Sequence, residues 1–237
     1  MALKLVVGRK IAEMNTEEFH QLRARYKSTM VDLGTGDGRF VYRNARTEPD
    51  TLCIGIEPQA KAMQEISRKL HKKPARGGLS NALFIVASLE NLPTTLHHCA
   101  DTIFVNYPWA SLLAAFVVPD LSLLTALAQL AKPQTQLQIL LNYSVFEDAA
   151  YMQRLGLPDF CESDVTNRLA PALTQIGATI QHYEIFEGPP PSHTSWAKRL
   201  VAGASRKTLA ISAVFEPQYD RNQNTGNCSK ELQRIFE

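Results

Sequence analysis

The stretch Val31-Asp32-Leu33-Gly34-Thr35-Gly36-Asp37-Gly38-Arg39 runs an apolar segment straight into a turn with glycine at every second position. Glycine lets a backbone approach a ligand closely, and Asp32 and Asp37 place carboxylates there that suit hydroxyl or ammonium groups and repel a diphosphate. Counted from Gly34, the dinucleotide pattern G-x-G-x-x-G meets Arg39 where its third glycine belongs. The spacing therefore disfavours a nicotinamide dinucleotide and suits a cofactor without phosphates, such as S-adenosylmethionine. About twenty residues further on, Glu57-Pro58 closes a second apolar run, where a carboxylate can accept both hydroxyls of a ribose. A third run ends at Ala87 and is followed by Ser88-Leu89-Glu90, placed to read an adenine amino group; a fourth ends in Asn106-Tyr107-Pro108-Trp109.

Trp109 and Trp196 are the only two tryptophans, and both fall outside the expected core strands. Beside a cofactor pocket they would sandwich a planar base. Stacking of a base on an aromatic ring is worth roughly 1–3 kcal/mol, which offsets the cost of taking the base out of its own stack. From Lys61 to Arg76 the cations Lys61, Arg68, Lys69, Lys72, Lys73 and Arg76 face Glu65 alone, and Lys198, Arg199, Arg206 and Lys207 form a second basic group. Such one-sided runs on a chain of net charge +2 and pI about 8.3 point to one phosphate-binding face.

These groups need a scaffold that brings successive strand ends together. Leu3 to Met14 reads as a hairpin around Gly8-Arg9, and Thr16 to Lys27 as a helix capped by Asn15 or Thr16. Strands are expected at Met30–Leu33, Leu52–Ile56, Ala82–Ala87, Thr102–Val105 and Leu137–Leu141. Helices are expected at Gly38–Arg46, Gln59–His71 and within Ser111–Ala131, which Pro119 interrupts. A helical region through Ile176, a strand at Thr179–Phe186, a Pro-rich connection at 189–191, a short helix at Ser195–Ala202 and a strand at Leu209–Phe215 complete the pattern. Alternating strands and helices predict an α/β, doubly wound, Rossmann-like sheet of seven strands, mostly parallel with an antiparallel end, carrying the hairpin as an extension. Residues 1–216 form one domain in this reading, with 217–237 a polar tail that frays.

No apolar run has the length of a signal peptide or a membrane span, so a cytoplasmic protein without membrane contact is expected. Cys53, Cys99, Cys161 and Cys228 lie far apart without metal-ligand spacing, so no metal is expected, and Cys53 belongs in a buried strand.

The blocks Asp32 to Arg39, Gly55-Ile56-Glu57-Pro58, Lys73-Pro74 through Asn81, Pro108-Trp109 and Ser195-Trp196-Ala197-Lys198-Arg199-Leu200 together resemble a known family. It is the aminoglycoside-resistance 16S rRNA methyltransferases that modify N1 of the decoding-site adenine, 1408 in rRNA numbering, and the likeness runs from about Leu3 to Phe215. The resemblance implies a monomeric, class I S-adenosylmethionine-dependent enzyme acting on 16S rRNA in the assembled 30S subunit. Trp109 and Trp196 would clamp the flipped base. The cofactor would lie against Asp32, Gly34, Thr35, Gly36, Asp37, Glu57, Pro58, Ala87, Leu89, Glu90, Asn106, Pro108, Ser111 and Thr194. RNA contacts would come from Arg68, Lys69, Lys72, Lys73, Arg76, Arg154, Arg199, Arg206 and Lys207. Two departures stand out: Glu57 replaces a ribose-binding aspartate, and Leu155 occupies a position where a basic residue is expected, with Arg154 beside it.

Two other readings compete. Asn106-Tyr107-Pro108-Trp109 resembles the Asn-Pro-Pro-Tyr motif of amino-methyltransferases, although Tyr107 replaces the first proline. A non-catalytic RNA-binding protein on a methyltransferase fold is the other, and the intact glycine loop and Glu57 argue against it.

Overall fold

A computed structural model describes residues 2–188 and 207–216. The hairpin strands β1 (Leu3–Val7) and β2 (Lys10–Met14) lead into α1 (Thr16–Arg23), whose start is fixed by a reciprocal cap: the Asn15 side chain accepts from the Glu18 amide and the Glu18 carboxylate from the Asn15 amide. The central units follow as β3 (Ser28–Leu33), α2 (Arg39–Thr47), β4 (Thr51–Ile56), α3 (Ala60–Leu70), β5 (Ala82–Ile85) and β6 (Ala100–Asn106). Beyond them run α4 (Ala110–Val117), α5 (Leu121–Leu130), β7 (Ala131–Asn142), α6 (Ala149–Arg154), α7 (Glu162–Asp164), α8 (Ala170–Gln175), β8 (Ala178–Glu187) and β9 (Lys207–Phe215).

The nine strands of the described residues form one sheet, in the order β2-β1-β5-β4-β3-β6-β7-β9-β8. The five strands β5-β4-β3-β6-β7 are parallel, and β9 inserts antiparallel between β7 and β8. Seven strands were expected from the sequence, with the hairpin apart from them. The hairpin instead extends the sheet: Leu5 registers with Ile85, and the Val86 amide donates to the Lys4 carbonyl at 2.8 Å. An isolated two-stranded hairpin is marginal in water, so joining an existing edge is what stabilises it.

Strand β4 illustrates why the sheet needs helices on both sides. Leu52, Ile54 and Ile56 point into a core closed by Phe19, Phe116, Leu124 and Leu127, while Cys53 points into the opposite core with Val41, Met63 and Phe84. Both faces are apolar, the pattern of a covered parallel sheet. Burial also pushes the Cys53 and Cys99 thiols up to about 12, which leaves them unreactive.

Several boundaries differ from those read off the sequence. α1 stops at Arg23 rather than Lys27, and β5 at Ile85 rather than Ala87. β7 begins at Ala131, six residues before the expected Leu137. Its pairing with β6 shifts between Ala100 and Thr102, and within that irregularity the Thr135 hydroxyl accepts from the Lys132 amide at 2.8 Å and donates to the Ala100 carbonyl at 2.6 Å. A side chain thus replaces ladder bonds around Pro133, which has no amide to give. The connection at 189–191, the helix expected at Ser195–Ala202 and the tail from 217 lie outside the described residues.

Candidate functional site

The chain runs from β3 outward to β5, then returns to the other side of β3 as β6, so the strand order reverses between β3 and β6. Loops leaving the carboxyl ends of these two strands diverge and open a crevice. A cavity of about 370 Å³ lies there. It collects Asp32, Gly34, Thr35, Gly36, Asp37, Glu57, Pro58, Ala87, Leu89, Glu90, Asn106, Pro108, Trp109 and Ser111, every site residue expected for the cofactor or the base clamp except Thr194 and Trp196, which lie outside the described residues. The glycine turn wraps the end of β4: the Gly34 and Thr35 amides both donate to the Ile56 carbonyl, at 2.9 and 3.1 Å. Gly38, at φ +76°, then starts α2 so close to the sheet that an added Cβ would sit 2.4 Å from the Phe84 ring.

Charge in the cavity is sorted by depth. Asp32 is 1% exposed, and burial pushes its carboxyl up to about 7, reinforced by the nearby Asp37 and Glu57 charges and restrained by the Thr35 hydroxyl and the Asn106 amide. The Asn106 side-chain amide donates to the Asp32 carboxylate at 2.9 Å. The carbonyl oxygen of that same Asn106 amide is buried with no hydrogen-bond partner among the described residues. A buried orphan acceptor beside a carboxylate is a place made for a ligand donor. Glu57 is aimed by backbone: its two oxygens accept from the Gly36 amide at 3.2 Å and the Gln59 amide at 3.0 Å. Glu90 accepts from the Ser111 hydroxyl at 2.7 Å, and its own amide, Ser111 and Ser88 hold its carboxyl below the usual range. Asp37 is largely engaged already, accepting from the Arg39 amide at 3.0 Å and pairing with its guanidinium at 3.1 Å.

The wall that carries Trp109 is a strained turn. Tyr107 and Ala110 both have positive φ, +51° and +49°, which costs a non-glycine residue about 1–2 kcal/mol. Tyr107 is held there by the hydrogen bond its backbone amide donates to the Leu140 carbonyl at 2.8 Å and by a buried hydroxyl contact with Thr208 at 3.2 Å. Trp109 itself is 49% exposed on the rim. Ala110→Gly should relieve strain without touching the tryptophan. A net gain of about 0.5–1 kcal/mol is expected after the greater unfolded-state freedom of glycine is allowed for, read as a higher urea midpoint with unchanged slope.

The basic residues expected to meet RNA divide into groups. Arg68, Lys69, Lys72, Lys73 and Arg76 are all exposed along α3 and the turn after it, with the Lys69 ammonium 4.4 Å from the centre of the Tyr42 ring. Arg154 is exposed at the end of α6 against Tyr151, and Leu155 beside it is exposed as well. Lys207 pairs with Glu147 at 2.6 Å, so its charge is partly engaged within the protein. Arg199 and Arg206 lie outside the described residues.

Sequence reasoning missed the apolar lining. Phe40, Leu112 and Leu123 also face the cavity. Their only signal was helical periodicity, which marks a buried face without saying that a ligand shares it.

A doubly wound sheet with an antiparallel insertion near one end, and a ligand-sized cleft at its switch point, defines a class I methyltransferase fold. Residues 4–215 match the family NpmA: 16S rRNA (adenine(1408)-N(1))-methyltransferase. The chain belongs to that family. The 16S rRNA (adenine(1408)-N(1))-methyltransferase of Escherichia coli is 31% identical over 211 residues, 88% of this chain and 96% of the relative. Among solved structures, the antibiotic-resistance methyltransferase Kmr is 39% identical, with a TM-score of 0.72 covering 90% of this chain and 100% of that one. A tryptophan-to-alanine variant of the 16S rRNA (adenine(1408)-N(1))-methyltransferase from Catenulisporales acidiphilia, solved with cosubstrate SAM, is 29% identical, with a TM-score of 0.83 covering 92% of this chain and 99% of that one.

Proposed function

We propose that this chain uses S-adenosylmethionine to methylate N1 of adenine 1408 of 16S rRNA in the assembled 30S subunit. The modification would confer resistance to kanamycin- and apramycin-like aminoglycosides. The observation that carries the reading is the sharing of one cavity by a buried carboxylate, a ribose-height carboxylate and an exposed tryptophan. S-adenosylmethionine supplies a methyl group activated by a sulfonium. Its amino-acid end has an ammonium, for which Asp32 and the orphan Asn106 carbonyl offer acceptors; its ribose suits the backbone-aimed Glu57; its adenine suits the turn at Leu89 and Glu90.

No strong base is needed for the reaction. Adenine N1 presents its own lone pair, so holding it in line with the methyl group can supply most of the rate enhancement. Trp109 on the rim, with Trp196 as its partner, stacks the flipped base, and the cationic product ring gains from the indole quadrupoles. The protein acts as a cytoplasmic monomer, with the α3 cations meeting the RNA backbone.

Expression in a drug-sensitive bacterium followed by primer extension across the decoding site tests the reading. A reverse-transcription stop at adenine 1408 together with kanamycin resistance is expected, and nucleoside mass spectrometry should place the methyl on N1. A methyl on the exocyclic amine would favour the amino-methyltransferase reading, and an unmodified decoding site would reject the function.

A further inference from the structure

The α3 ridge does not end at α3. Helix α3 spans about 16 Å from the rim of the cavity to the turn at Lys72. Lys61 and Arg68 lie on its exposed side and Lys72 in the turn after it, and the one acid among them, Glu65, is met by the Arg39 guanidinium at 3.4 Å. Flanking this side is the β1–β2 hairpin, which no part of the cavity uses.

The hairpin is fixed to α3 rather than merely near it. Ser67, fully buried, donates its hydroxyl to the Val6 carbonyl at 2.6 Å and accepts from the Gly8 amide at 2.9 Å. One turn earlier, the Gln64 amide donates to the Arg9 carbonyl at 3.4 Å. Gly8, at φ +64°, brings the turn so close that a Cβ there would touch the Arg68 side chain at 3.5 Å. The consequence is positional. Arg9 and Lys10, both exposed, are held beside Arg68, and neither pairs with an acid among the described residues. Glu13, farther along the same hairpin, sits across the ladder from Lys4, so it does not offset the turn.

Resting on the rRNA-methylating function proposed above, we infer that the β1–β2 hairpin is a second RNA-docking element. Arg9 and Lys10 grip phosphates of the strand adjoining the one that follows α3. An edge hairpin bonded into both the sheet and α3 presents its cations without the entropy that a loose tail would lose on binding. Two added phosphate contacts would widen the footprint and steepen the salt dependence.

The test measures 30S binding separately from methylation, using full-length wild type, the double variant Arg9→Gln with Lys10→Gln, and the charge-preserving exchange Arg9→Lys with Lys10→Arg. The double variant should bind purified 30S subunits roughly fivefold more weakly, and its plot of log affinity against log salt should be shallower by about 1.5. The exchange variant should stay near wild type, and S-adenosylmethionine affinity and melting temperature should be unchanged in both. Equal salt slopes for wild type and double variant would overturn the docking role and leave Lys10 as a guard of the sheet edge. Tight 30S binding with a shallower variant slope but no methyl on adenine 1408 would overturn the proposed reaction and keep the hairpin contact.

Discussion

Asp32→Asn should weaken S-adenosylmethionine binding at least about 30-fold and, at pH 8, make the ligand-free protein more stable than wild type. The two effects have one cause. The Asp32 carboxyl is buried, and its pKa is raised from 3.8 to about 7, chiefly by desolvation. The folded chain therefore keeps a proton that the unfolded chain has already released between about pH 4 and 7. Over that window its contribution to stability falls as pH rises, and above 7 the charge is carried at full penalty. Asparagine has nothing to ionise and still accepts from the Asn106 amide, so the variant's stability should lack this component of pH dependence. What asparagine loses is the pairing with a cationic ligand. Removing one partner of a buried charge pair typically costs 2–5 kcal/mol, which sets the 30-fold minimum. In wild type the ligand's ammonium favours the ionised carboxylate, so affinity should tighten from pH 6 to pH 8 and binding at pH 7 should release protons. Calorimetry in buffers of different ionisation enthalpy reads that release. A variant that binds as wild type does would remove Asp32 from the ligand's contacts.

The burial behind that prediction was not visible in the sequence, although the residue was. The glycine turn, Glu57-Pro58, Ser88-Leu89-Glu90 and Asn106-Tyr107-Pro108-Trp109 could be read because each is a local string at the end of an apolar run, and a doubly wound sheet places such ends together. What depends on partners distant in sequence could not be read. Lys207 resembled a free RNA-facing cation, but Glu147 lies 2.6 Å from it across 60 residues of chain. The hairpin was recognised, yet its attachment through Leu5 and Ser67 to β5 and α3 makes it part of a nine-stranded sheet. Pro133 has no amide to give a regular ladder, and nothing local in the sequence signals that β7 starts at Ala131 rather than Leu137. The Thr135 hydroxyl supplies the exception. Periodicity reports which face is buried; it does not report what the face is buried against.

Trp109→Ala should lower kcat/KM for 30S methylation by about 5- to 150-fold, the range given by 1–3 kcal/mol of lost stacking. Trp109 is half exposed on the cavity rim, so the melting temperature should hardly move and S-adenosylmethionine affinity should stay within a few fold. Trp109→Phe keeps an aromatic face and should recover part of the loss. The more decisive measurement is the double variant with Trp196→Ala. If the two indoles grip opposite faces of one base, removing either lets the base leave the reactive geometry, and removing the second adds less than the first did. If each ring touched a different nucleotide, the two losses would sum in free energy and the two rate ratios would multiply. A double variant much less impaired than that product therefore identifies a shared base. Full multiplication would separate the tryptophans and leave Trp109 as a stacking platform on its own.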